Sequence, residues 1–319
     1  MNWKIVRSQC SYVGILGGGC MLGLFMVRCG LDPAISVGLV GLFTVSVLFI
    51  AQRVAPYRCG WRNWASQLGI DALHGIFSTL GFSALCQAAL IGGVYFLADW
   101  AARLVGSPLW PTELPFLLQC LLALMVADFG AYWFHRLAHR SPLVWRVHAL
   151  HHSSEQLYVL SSARNHPLNV FGTFIVSVVP LALLGVHGEV LLFTGIFTTI
   201  HGMLQHANVD FQLGFMNWIL AGPELHRFHH SASFEESNTN FGSNLIIWDV
   251  IFRTRHLPKD MHVAAIGLEE KVFQHNYWQQ LAVPFQWRLY MKKARMRAAA
   301  VAEHPLSQMW TSPPPSSPS

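Results

Sequence analysis

Charge is what this chain has least of. Only 12% of its 319 residues are Asp, Glu, Lys or Arg and 53% are apolar, with a mean hydropathy of +0.37; soluble domains carry about 25% charged residues. That shortage excludes an ordinary soluble domain and predicts an integral membrane protein. Cysteine is also sparse. Cys10, Cys20, Cys29, Cys59, Cys86 and Cys120 form no C-x2-C pair and lie mostly in or near apolar runs, so they read as small fillers rather than disulfides or an iron–sulfur or zinc site. The run Gly17-Gly18-Gly19 lacks the G-K-[ST] ending of a phosphate loop and predicts close helix packing. No dinucleotide fingerprint follows a predicted strand. Electrons for any redox chemistry must therefore come from another protein, and no nucleic-acid partner is expected.

What the chain does have is long apolar runs. Residues 12–28, 34–52, 76–98 and 114–134 each approach the roughly 20 residues that cross a bilayer. A further apolar stretch, 168–205, is broken at His187-Gly188-Glu189 and predicts two shorter helices in a hairpin. The basic start, Lys4 and Arg7, does not read as a signal peptide, because no small-residue cleavage site follows and a second span comes almost at once. Arg53, Arg58 and Arg62 after the second span, and Arg136, Arg140, Arg146 and Arg164 after the fourth, predict that these loops are cytoplasmic. The expected fold is all-α: membrane helices and their loops over 1–113, a catalytic region with a cytoplasmic helical cap over 114–256, a cytoplasmic segment with a basic helix over 257–303, and a disordered Pro/Ser tail over 304–319. Lys292, Lys293, Arg295 and Arg297 give that helix either an anionic lipid surface or plain solvent to face.

Histidine is abundant and grouped. His135-x3-His139, His148-x2-His151-His152, His201-x4-His206 and His226-x2-His229-His230 hold ten of the seventeen. Helical residues three or four apart share a face, so His135 and His139, or His148 with His151 and His152, can aim several imidazoles at one point. Imidazole suits iron, zinc, copper and nickel, and eight or nine of them supply two metals with about four ligands each. Asp128, Tyr132, His135 and His139 line one face at the end of the fourth span. A carboxylate so close to lipid is usually functional, so Asp128 reads as a hydrogen-bond partner of a ligand histidine, with helix pairing as the alternative. For Glu224, Glu236, Asn238, Asn240 and Asp249 the competing reading is capping and turn formation. Arg164 and Arg227 are placed to pair with such carboxylates. His166, before Pro167, is unsuited to mid-helix and reads as a ligand or the partner of one. His74 reads as an interfacial polar residue, and His187, His256, His262, His275 and His304 as surface histidines.

Three blocks carry a resemblance: Asp128 to Arg140, with Tyr132, His135 and His139; His148 to Ser153, followed by Arg164-Asn-His166-Pro167; and Pro223 to Ser231, continuing through Glu236, Asn238, Asn240, Phe241 and Gly242 to Trp248-Asp249. In order and spacing they resemble the fatty acid hydroxylase or sterol desaturase superfamily of membrane-bound di-iron oxygenases over about residues 120–255. Phe241 stands where relatives often carry tyrosine, and Arg253 where glycine is common. The resemblance implies two iron ions, with zinc as an alternative occupant of purified protein, O2 as co-substrate, a lipid entering from the bilayer, and a small cytochrome or ferredoxin with its reductase as donor. The expected metal ligands are His135, His139, His148, His151, His152, His201, His206, His226, His229 and His230, with His201 either a ligand or behind one. Asp128, Tyr132, His166, Glu236 and Asn240 are the candidate catalytic residues. The expected reaction is hydroxylation or desaturation of a sterol, fatty acyl, sphingoid or ether lipid. A histidine-rich metal transporter or a zinc-stapled structural membrane protein are the competing readings.

Overall fold

The first helices are turned inside out relative to a soluble protein. Ser36, Thr44 and Gln52 are buried while Phe25, Leu42, Phe43 and Ile50 are exposed, the pattern of helices whose solvent is hydrocarbon. The computed structural model describes residues 3–62, 64–106, 109–259, 262–274 and 276–302; His275, His304 and the tail expected at 304–319 lie outside the described residues. Helix α1 (Trp3–Arg28) and α2 (Pro33–Val54) form a hairpin, with α2 started by Asp32, whose carboxylate accepts from the Ala34 and Ile35 amides, and by Pro33 at its first position. The core of this layer is Tyr12, Leu16, Val40, Leu48, Ile196, Ile200 and Leu204. Gly19 does allow close packing, since a Cβ there would meet Ile200 at 2.4 Å, whereas Gly17 and Gly18 face open space.

The third span begins earlier than its hydropathy predicts. Helix α3 (Ala65–Leu73) runs through a π-helical stretch, His74–Gly81, into α4 (Phe82–Val105), so Gln67, Asp71 and His74 are internal to the helical run. These polar residues weaken the hydropathy signal. They are tolerated because each is buried with a partner: Arg164 donates to both Gln67 and Asp71, and His74 pairs with Ser78 and Gln280. His74 is thus a core residue and not an interfacial one.

Helix α5 (Phe116–Arg140) is the fourth of the long apolar helices; among the described residues four are long and apolar enough to cross a membrane. After α6 (Pro142–His152), the broken apolar region folds as expected into α7 (Pro167–Leu183) and α8 (Gly188–His206), turning at Gly185, whose φ is +77°. Helices α9 (Pro223–His229), α10 (Phe234–Ser237), α11 (Ile247–Ile251), α12 (Tyr277–Ala282) and α13 (Trp287–Ala302) follow, and no β-strand is present among the described residues. Gln52 fastens α2 to the histidine-bearing end by accepting from the Val159 and Asn208 amides at 2.8 and 3.0 Å.

The tightest crossing is α5 on α7. A Cβ at Gly130 would fall 1.9 Å from the Val176 carbonyl oxygen, and one at Gly172 would strike the Phe134 ring at 2.2 Å. Backbone cannot move aside as a flexible side chain can. Gly130→Ala is therefore expected to lose about 1–3 kcal/mol through overpacking, read as a lower melting temperature, with Gly18→Ala as a neutral control because nothing lies near its Cβ.

Candidate metal centre

The single residue Ser141 separates α5 from α6, so α6 folds back across the end of α5, its first turn capped by the Ser141 hydroxyl and opened by Pro142. This sets His148 and His152, one helical turn apart, opposite His135 and His139. His226 and His230 share a face of the α9 turn in the same way, while His229 points a step further round. The result is two groups of buried or half-buried histidines. His135, His139, His148, His152 and His229 form one, and His151, His206, His226 and His230 the other, with the ligand-capable atoms of each within 4.8 Å of one another. Each H-x2-H-H box serves both groups.

Most of these rings are held from behind. His135 donates from Nδ1 to the Phe241 carbonyl at 2.8 Å, His206 to that of Gly202 at 2.8 Å, His229 to that of Thr239 at 2.8 Å and His151 to that of Arg164 at 3.3 Å. His148 Nδ1 pairs with the Asn169 side-chain oxygen at 3.2 Å. Carbonyl oxygens only accept, so the proton is fixed on Nδ1 and the Nε2 lone pair faces inward. The Nε2 atoms crowd one another: that of His148 lies 3.1 Å from that of His152, and that of His226 lies 3.2 Å from His206 and 3.0 Å from His230. The buried Nε2 atoms of His135, His139 and His229 have no hydrogen-bond partner at all. Ring nitrogens converging in this number, three of them buried with no partner, are a cation's ligand set, and all-imidazole donors fit iron or zinc.

Burial is the largest cause that drives the pKa of His148, His151, His152, His226, His229 and His230 well below the usual value, and neighbouring histidines push the same way. Neutral imidazole is the metal-binding form. Because the unfolded chain binds these protons more readily, the neutral rings contribute stability that is fully present above the unfolded pKa of about 6.5 and lost as pH falls below it. The metal-free protein is expected to melt at a constant temperature between about pH 7 and 8 and at falling temperatures below about 6.5. A profile that stays flat through acid would contradict neutral burial.

A cavity of about 180 Å³ reaches both groups, touching His135 and His148 on one side and His151, His206 and His226 on the other. Its remaining wall comes from α5, α7 and α8, including Ala131, Phe134, Thr173 and Thr198, and from the cap at Ser162, Asn165 and Ser243, and contains no Asp, Glu, Lys or Arg.

The structure thus brings nine of the ten expected ligands together and leaves His201 out. Its ring is fully buried, stacked on Phe197 and edge-on to Tyr12, one turn and more below His206. The five candidate catalytic residues also face elsewhere. Asp128 contacts no histidine; its oxygens accept from the Asn244 and Leu245 amides at 2.6 and 3.1 Å. Tyr132 bonds Thr254 and Arg136, His166 receives the Leu168 amide and donates to the Leu281 carbonyl, and Glu236 accepts from Ser231. Asn240 sits at φ +54° and bridges Leu225 and His256. Asp128, His166 and Asn240 thus bond backbone groups, and Tyr132 and Glu236 bond side chains. Arg164 pairs not with the cap carboxylates but with Asp71, and Arg227 stacks on Tyr57 at 3.8 Å, its pKa pulled down to about 10 by burial. Arg253 adopts φ +56°, which gives a physical reason for glycine at that position.

Among known proteins, residues 120–254 match the family model described as fatty acid hydroxylase. The chain is similar to an ornithine lipid hydroxylase of Rhizobium tropici, with 36% identity over 248 residues covering 76% of this chain and 74% of that protein. It is also similar to an alkylglycerol monooxygenase of Xenopus tropicalis, 29% identical over 58% of this chain and 40% of that one. A methylsterol monooxygenase of Arabidopsis thaliana is 28% identical over 43% of this chain and 52% of its own length. No solved structure matches.

Proposed function

The chain belongs to the fatty acid hydroxylase family, and on that premise we propose that it is a membrane-bound, O2-dependent enzyme that hydroxylates or desaturates a lipid at a two-iron centre. The observation that carries this reading is the pair of facing histidine groups with a cavity between them. His135, His139, His148, His152 and His229 would hold one ion, and His151, His206, His226 and His230 the other. Iron so held supplies the oxidation of an unactivated C–H bond that no amino-acid side chain can perform.

Hydroxylation consumes one O2, two electrons and two protons, placing one oxygen atom in the lipid and the other in water; desaturation uses the same inputs, takes two hydrogens from the lipid and yields two waters. The electrons come from an external carrier protein. The chain's own part is to orient and to exclude water. Nδ1 bonds to carbonyls at 164, 202, 239 and 241 keep the rings from turning, and their burial keeps them neutral. The cavity is smaller than the roughly 300–1,000 Å³ that encloses a whole ligand. It therefore takes only the reacting portion of a lipid, while the rest lies along the apolar helix faces. A transporter would hold its ligands near the bilayer midplane, whereas these cluster at the ends of α5 and α8 and beyond them.

The test is lipid mass spectrometry of cells with and without the protein. A new species heavier by one oxygen or lighter by two hydrogens is expected, and its absence with iron and donor supplied would refute the reading. The arginines flanking the apolar runs favour a centre on the cytoplasmic side. In a background without the exposed Cys10, Cys29 and Cys59, a cysteine at the exposed Glu235 should resist an impermeant thiol reagent added outside intact cells. Labelling there would invert the orientation.

A further inference from the structure

We propose that Asp71 is a positioning residue for the metal centre, its buried ion pair with Arg164 fixing the main-chain carbonyl that orients His151. The proposal rests on the two-metal reading and adds to it a residue far outside the matched region at 120–254.

His151 belongs to the four-histidine group and is held from behind only through its Nδ1 bond to the Arg164 carbonyl. The other carbonyls that orient ligand rings have their own supports. That of Gly202 belongs to α8 itself. Those of Thr239 and Phe241 lie in a segment braced by Asn240 and by Asp249, whose carboxylate accepts from the Phe241 and Gly242 amides at 2.8 and 2.7 Å. The Arg164 carbonyl has no such regular frame, because residues 164–166 are an irregular link between a short 3-10 turn, Val159–Ala163, and α7.

The link has turn bonds of its own, Arg164 N–H to the Ser161 carbonyl and Asn165 N–H to that of Ala163, and His166 bonds Leu281; what ties residue 164 itself to the third apolar helix is its side chain. Its Nε donates to one Asp71 oxygen at 2.6 Å and its Nη2 to the other at 2.9 Å and to Gln67 at 2.7 Å. Tyr158 donates its hydroxyl to the same carboxylate, closing the network from the 3-10 turn. Asp71 is 0% and Arg164 4% exposed, so neither has water to fall back on. A buried pair is poor evidence of stability, since apolar residues of similar size often do as well. Its two-pronged geometry does fix direction, and here the direction fixed is that of a carbonyl aimed at a ligand ring.

The test is chelator competition on the iron-loaded full chain in nanodiscs, counting metal retained as chelator rises. In Asp71→Asn the account expects one metal to be held about 10–100-fold more weakly, the usual effect of losing a partner behind a ligand, with the other unchanged. Combining it with His151→Ala should add little, whereas combining it with His229→Ala should add in full. Should Asp71→Asn fail to fold, the paired Asp71→Leu/Arg164→Met variant exchanges the ion pair for apolar packing and is expected to weaken the same single metal. Folded variants that keep both metals as in wild type, or that lose both equally, overturn the proposal. The wild-type count reports on the two-metal reading, so the two failures are distinguishable.

Discussion

His230→Ala is expected to abolish lipid oxidation while the protein still inserts and folds. The ring is fully buried in the four-histidine group, with its Nε2 3.0 Å from that of His226 and stacked on His152 of the other group. Removing it takes one donor from a set of four and opens the wall between the two groups. The loss should exceed the roughly 100-fold upper end seen when only a partner behind a ligand is removed. His229→Ala should do the same through the five-histidine group. Insertion should survive because the apolar core of Tyr12, Leu16, Val40, Ile196 and Ile200 includes neither residue. Helical content, metal content and product formation on one preparation check this; full turnover in either variant would remove the assignment.

The second large effect is expected from Asp128→Asn. Its carboxylate takes two backbone amides, Asn244 and Leu245, in a site with no access to water. An asparagine keeps one acceptor and turns an NH2 group toward the second amide, so one buried N–H loses its partner and a charge-assisted bond becomes a neutral one. Together these cost about 2–5 kcal/mol. The segment it anchors includes Ser243 on the cavity wall and follows directly on Phe241, whose carbonyl holds His135. Lower melting temperature and reduced metal content are therefore expected together. Lost turnover with unchanged stability and metal would mean that Asp128 acts on a histidine after all, as a carboxylate so close to lipid first predicts.

That contrast shows what the sequence makes legible. Histidine spacing carries nearly the whole centre, because a helical repeat puts i and i+4 on one face and a donor set is written in residue types. The hairpin at 167–206 is legible from one polar interruption. The supports are not, because most are main-chain carbonyls, which every residue has. The five residues expected to be catalytic share the donor chemistry of an active site, yet Asp128, Glu236 and Asn240 spend it on amides, a hydroxyl and carbonyls of their own cap. His201 lies five residues before His206, a spacing that does not share a helical face, and sits deeper along α8 among Tyr12 and Phe197. Asp71 did leave a signal, a carboxylate beside an apolar run, but its partner Arg164 lies 93 residues away and only the fold joins them.

Nine histidines arranged this way should make two metal sites and not one. Metal analysis of the purified, iron-reconstituted chain tests this most directly: two irons per chain are expected, falling toward one when His226 and His230 are both replaced by alanine. A wild-type stoichiometry of one that reconstitution does not raise would contradict it.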